Sequence, residues 1–117
     1  MSTKIIQITD LHLNESKEVI TNGINTYNSA KKVLDTIKSK EKDADCLVLS
    51  GDLSNDCSQE SYNNLMSLLQ GFNLPIYLMS GNHDSPLLLK ELSNKYDVHF
   101  KNFDSFYNWG LFMFNTK

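Results

Sequence analysis

Cys46-Leu47-Val48-Leu49-Ser50-Gly51-Asp52 is the stretch on which the fold turns. Its four consecutive apolar residues leave no polar face, so a strand built from them is covered on both sides, as in a parallel sheet between other layers. Gly51 permits a sharp exit and presents Asp52 at the sheet edge. Working outward, Lys4 to Thr9 carries the alternating and adjacent apolar residues of a strand, and Ile76 to Met79 reads as a third. Between the first two, Ala30, Val33, Leu34 and Ile37 recur at helical spacing from about Ser29, and the helix dissolves into the charged stretch Lys38 to Asp45. Asn22-Gly23 marks a turn in the polar loop before it. Ser58 can N-cap a second helix with Tyr62, Leu65, Met66 and Leu69 on its core face, closed by Gly71. Ser85-Pro86 reads as the N-cap and first residue of a third helix carrying Leu87, Leu88, Leu89 and Leu92. Val98 to Phe100 and Leu111 to Phe114 are expected as later strands.

The order βαβαβαβ predicts an α/β fold with a largely parallel sheet and flanking helices, with residues 1–117 forming one domain. Net charge is -3 and all eleven basic residues are lysine. A nucleic-acid-binding face would normally be basic and use arginine, whose planar guanidinium grips phosphate, so no nucleic-acid partner is expected. The first apolar run is too short for a secretory core or a membrane span, and Cys46 and Cys57 have no CxxC spacing. A reduced, cytoplasmic protein with no membrane association is the expectation.

Ligands of parallel sheets sit outside the carboxyl ends of the strands. The first strand ends in Thr9-Asp10-Leu11-His12, the second in Gly51-Asp52, and the third in Gly81-Asn82-His83-Asp84. On an extended segment Asp10 and His12 would point the same way and could reach one ion together. Each motif alone has a plain alternative: a polar loop for Asp10-Leu11-His12, turn chemistry for Gly51-Asp52, and a helix cap for Asp84. A solvated loop does not predict their convergence, with two of three histidines at equivalent strand ends.

Asp-x-His, then Gly-Asp, then Gly-Asn-His-Asp, in this order and after strands, resembles the signature of the calcineurin-like metallophosphoesterase superfamily. Gln7-Ile8-Thr9-Asp10-Leu11-His12-Leu13 with Leu49-Ser50-Gly51-Asp52-Leu53-Ser54 looks most like the bacterial class III cyclic-AMP phosphodiesterase branch. The resemblance implies the N-terminal half of an αββα sandwich and a metal-dependent hydrolase acting on a cyclic nucleotide. It implies that Asp10 and His12 bind a first metal, that Asp52 bridges two, and that Asn82 offers its side-chain oxygen to the second. His83 would protonate or stabilise the leaving oxygen, and Asp84 would orient the His83 imidazole. Two ions about 3.5–4 Å apart would clamp the phosphoryl oxygens and activate water for in-line attack. Nitrogen and oxygen ligands suit Mn, Fe or Zn. A phosphatase or nuclease of the same superfamily is the alternative hydrolase.

The superfamily also supplies a lone His, a Gly-His and a Gly-His-x-His from a second half, and after Asp84 this sequence has only His99. The expectation is therefore a truncated domain whose remaining ligands belong to a missing C-terminal half or to another chain, with one metal, two or none bound. An inactive interaction module is the reading from another class. A half-fold would bare an apolar sheet face, and the tail Phe100, Phe103, Phe106, Tyr107, Trp109, Phe112 and Phe114 is strongly aromatic, so a homo-oligomer is expected. The competing reading folds these aromatics back into the core. His99, amid apolar neighbours, reads as packed rather than ligating. Cys57 reads as a buried thiol or a soft ligand, and Asp56 as a helix cap or an outer support of the site.

Overall fold

The computed structural model describes residues 4–21, 23–41, 43–81, 84–100, 103–106 and 109–112. In chain order these form β1 (Ile5–Ile8), β2 (Ile20–Thr21), β3 (Ile24–Asn25), α1 (Thr26–Lys40), β4 (Cys46–Leu49), α2 (Gln59–Leu69), β5 (Ile76–Leu78), α3 (Pro86–Lys95), β6 (Phe103–Phe106) and β7 (Trp109–Phe112). β1, β4 and β5 make a parallel sheet in that order, with Ile8 opposite Leu49 and Leu49 opposite Leu78. Every residue of β4 and β5 is buried, as their unbroken apolar runs require. Val98 to Phe100 extends the sheet by one parallel bridge, with His99 N–H donating to Ile76 O and Leu78 N–H to His99 O, both at 2.8 Å. The His99 ring stacks on Tyr77 with centroids 5.0 Å apart, so it is packed as expected. β6 and β7 pair antiparallel; of the strand expected over Leu111 to Phe114, Leu111 and Phe112 lie in β7, and the rest falls outside the described residues.

Right-handed crossovers that advance a sheet in one direction put successive helices on the same face. The core has this form. Leu47, Leu49, Ile76 and Leu78 share one buried cluster with Ala30 and Leu34 of α1, Leu65 and Leu69 of α2, and Leu89 and Leu92 of α3. The opposite face of the same strands presents Cys46, Val48 and Tyr77, which pack with Met79 and are exposed by only 0%, 6% and 1%. The bare apolar face expected from the sequence is therefore absent at these positions. It is exposed on β1, where Ile5 and Gln7 lie in register with Cys46 and Val48. Of the tail on which the expected homo-oligomer partly rested, Tyr107 and Phe114 fall outside the described residues.

The helices begin where polar side chains can take up the first backbone N–H groups. Ser58 and Ser85 cap α2 and α3 as read from the sequence, with Pro86 in the first turn of α3. α1 starts earlier than the apolar spacing indicates, at Thr26, because Asn25 accepts from Asn28 N–H at 2.9 Å. It also runs on to Lys40, and Lys38 and Lys40 suit the negative end of the helix. Val33 and Leu87 are exposed rather than core. Gly23, at φ 79°, lies between the antiparallel β2 and β3, where the sequence suggested only a turn; Asn22 falls outside the described residues. Gly71, at φ 91°, follows α2 as its left-handed terminator. Among the described residues no helix is long and apolar enough to cross a membrane.

Candidate metal centre

The sheet's hydrogen-bond ladder continues beyond the strands. Asp10 N–H donates to Gly51 O, His12 N–H to Asp52 O and Leu13 N–H to Leu53 O, each at 2.9 Å, and Asn55 N–H donates to Leu13 O at 2.7 Å. Leu13 and Leu53 are buried at 0% and 1% exposure and pin both loops to the core. The loop after β1 is thus held against the loop after β4 residue by residue.

Within this ladder Asp10, His12 and Asp52 adopt φ of 62°, 49° and 50°. The expectation that Asp10 and His12 share a direction by extended alternation is corrected here: both lie in the left-handed region, and the turning backbone brings them together. That conformation costs a non-glycine residue about 1–2 kcal/mol, and such strain collects at functional sites. Cys57, at φ 57°, is the remaining described non-glycine residue of this kind, and its thiol is exposed rather than buried.

One donor atom from each of Asp10, His12 and Asp52 lies within 4.8 Å of the other two, a spacing at which one cation can be reached by all three. His12 Nε2 is 3.4 Å from Asp10 Oδ1, and the two side chains are 28% and 55% exposed, so the group opens to solvent. The Thr9 hydroxyl donates to Asp10 Oδ2 at 2.7 Å and, with help from His12, holds the Asp10 carboxyl below its ordinary range. Two carboxylates and an imidazole form an oxygen-and-nitrogen donor set of the kind that holds divalent cations. A cleft of about 640 Å³ opens at Asp10 and His12 and is lined also by Ile24, Ala30 and Val33.

Two glycines make the approach possible. A Cβ on Gly51 would stand 3.2 Å from Gly81 Cα, and one on Gly81 would overlap the carboxylate and backbone nitrogen of Asp52. Asn82 and His83 fall outside the described residues. Asp84 is buried at 6% exposure, and its carboxylate accepts from Leu53 N–H, Ser54 N–H, Gly81 N–H and the Tyr62 hydroxyl. It does not cap α3, a role taken by Ser85. Asp56 accepts from Ser58, Ser54 and Glu15 N–H; burial pushes its carboxyl up, and these hydrogen bonds outweigh it, leaving the group below its ordinary range. Asp56 therefore staples the first loop to the start of α2.

Thr9 and Tyr62 escaped the sequence reading. Tyr62 was legible only as a core residue, although a buried tyrosine needs a partner for its hydroxyl, and that requirement was the available signal.

Comparison with known proteins agrees with this geometry. Residues 3–115 match the calcineurin-like phosphoesterase family. The chain is 32% identical over 112 residues to a 3',5'-cyclic-nucleotide phosphodiesterase of Nostoc sp., which covers 96% of this chain and 42% of that protein. It is 36% identical over 94 residues to the 3',5'-cyclic adenosine monophosphate phosphodiesterase CpdA of Haemophilus influenzae, covering 79% of this chain and 34% of that one. Against CpdA of Escherichia coli K12 it is 36% identical over 81 residues, 69% of this chain and 30% of that protein. The chain thus spans less than half the length of these relatives, and its parallel sheet with three helices corresponds to the N-terminal half of the family's fold. By sequence match, by topology and by the placement of Asp10, His12 and Asp52, the chain belongs to the calcineurin-like phosphoesterase family.

Proposed function

We propose that this chain supplies the first half of a metal-dependent hydrolase of small phosphodiesters, with a 3',5'-cyclic nucleotide such as cyclic AMP as substrate. The observation that carries the reading is the convergence of Asp10, His12 and Asp52 at the carboxyl ends of β1 and β4, in strained backbone held by a continuous ladder. Asp10, His12 and Asp52 would hold one divalent cation, and Asp52 and the Asn82 amide oxygen would serve a second. A cation of Mn, Fe or Zn in such a site supplies Lewis-acid polarisation of a phosphoryl oxygen and an activated water. His83 passes a proton to the leaving oxygen, and Asp84 fixes the loop that carries it. The cleft beside Asp10 and His12 has the volume of a small-molecule site.

The remaining ligands come from a further polypeptide segment or from a second copy in a homo-oligomer. We place the reaction in the cytoplasm, on the short apolar runs and cysteine spacing of the sequence. A phosphatase or nuclease of the family is the alternative chemistry.

The test is Mn-dependent hydrolysis of a chromogenic phosphodiester and of cyclic AMP by the 117-residue chain, beside Asp52→Asn. Turnover that disappears in the variant supports the hydrolase; turnover equal in both, or none in either, sinks activity for the chain by itself.

A further inference from the structure

A buried carboxylate is costly unless its oxygens are satisfied, and Asp84 meets that condition in an unusual way. Three of its four donors are backbone N–H groups from the loops after β4 and β5: Leu53 at 2.9 Å, Ser54 at 2.9 Å and Gly81 at 2.8 Å. The fourth is the hydroxyl of Tyr62, at 3.0 Å. Tyr62 is wholly buried on α2, and its oxygen also accepts from Ser85 N–H at 2.9 Å. Because that N–H can only donate, the phenolic proton lies on the Asp84 side.

The consequence falls on Asp52. Leu53 and Ser54 N–H can both reach Oδ1 of one carboxylate only if the chain turns around it immediately after Asp52, and there Asp52 takes φ 50°. Gly81 N–H, on the other carboxylate oxygen, brings Gly81 against the Asp52 side chain so closely that no Cβ fits between them. The Asp52 carboxylate is thereby aimed at Asp10 and His12 from two sides.

We propose that Tyr62 and Asp84 form a positioning pair that sets the geometry of the metal ligand Asp52. The inference rests on the metal-centre reading above. Neither residue touches the cation; each acts through the loop that carries Asp52. Replacement of such outer partners lowers metal affinity by about 10–100-fold in other sites.

The experiment titrates Mn²⁺ into the 117-residue chain and follows the loss of the free-ion resonance by electron paramagnetic resonance, which needs no turnover. Tyr62→Phe keeps the ring and removes the hydroxyl; Asp84→Asn sets an amide NH₂ against the same N–H donors. Leu92→Val, a core truncation in α3 away from the loops, controls for stability, with thermal midpoints recorded for all. The expected result is about tenfold weaker Mn²⁺ binding in Tyr62→Phe and a larger loss in Asp84→Asn, with unchanged affinity in Leu92→Val. Wild-type affinity in Tyr62→Phe, or an equal loss in Leu92→Val, overturns the positioning role alone. Absence of Mn²⁺ binding by the wild-type chain overturns the metal-centre reading and the positioning role with it. Should Asp84→Asn fail to fold, Tyr62→Phe decides.

Discussion

Asp52 accepts an unfavourable backbone angle so that its side chain can face Asp10 and His12, and its neighbours are chosen around that compromise. Gly81 is the sharpest instance. Gly81→Ala forces a Cβ into Asp52, and we expect a loss of about 2 kcal/mol or more in urea unfolding, together with loss of Mn²⁺ binding. Tyr62 gives a second expectation, in pH. Burial, aided by the Asp84 charge, pushes the phenol well above its ordinary value of 10.0. The unfolded chain then releases this proton at lower pH than the folded one. The stability it contributes is intact below pH 10.0 and is lost as pH rises above it, by about 1.4 kcal/mol per pH unit for one group. Unfolding titrations at pH 8 and pH 11 should show a steeper alkaline loss in wild type than in Tyr62→Phe; equal slopes would refute the assignment. Asp10, His12 and Asp52 stood out in the sequence because metal-compatible residue types follow apolar runs there. The left-handed angles that unite them could not, since Asp and His disclose such angles only through the hydrogen bonds around them.

Elements tell a similar story. β4 and β5 were legible because a strand buried on both faces has no other composition open to it. The caps Ser58 and Ser85 were legible because a hydroxyl just before an apolar-periodic run can accept from a first-turn N–H, as both do here. The start of α1 was not, because its first turn carries no fully buried apolar residue, Tyr27 being only half-buried against the core, and Asn25 signals the boundary. Ser58→Ala should cost roughly 1 kcal/mol, as a lost N-cap does, and somewhat more because Ser58 also donates to Asp56. Val33→Ala, on the exposed side of α1, should stay within about 0.5 kcal/mol of wild type. Thermal denaturation of the two variants side by side checks both, and a larger loss at Val33 would mean that this face is covered in solution.

At the scale of the molecule the fold is lopsided. The three helices share one face of the sheet, and among the described residues β1 pairs with β4 alone, leaving its other edge open beside the exposed Ile5. An open edge with an apolar residue invites another strand. Ile5→Lys should therefore reduce concentration-dependent association in light scattering without altering the circular dichroism; unchanged association would locate the contact elsewhere. That the helices lie on one side follows from strand order, which no single segment of the sequence states. The ladder that runs past the strand ends has one more consequence. A slip of β1 by one residue against β4 would turn the core face of β1 outward and carry Asp10 and His12 away from Asp52 in the same movement. On the metal-centre proposal, cation affinity would act as a proofreader of strand alignment: an ion present during refolding would draw the population by mass action toward the one register that can hold it.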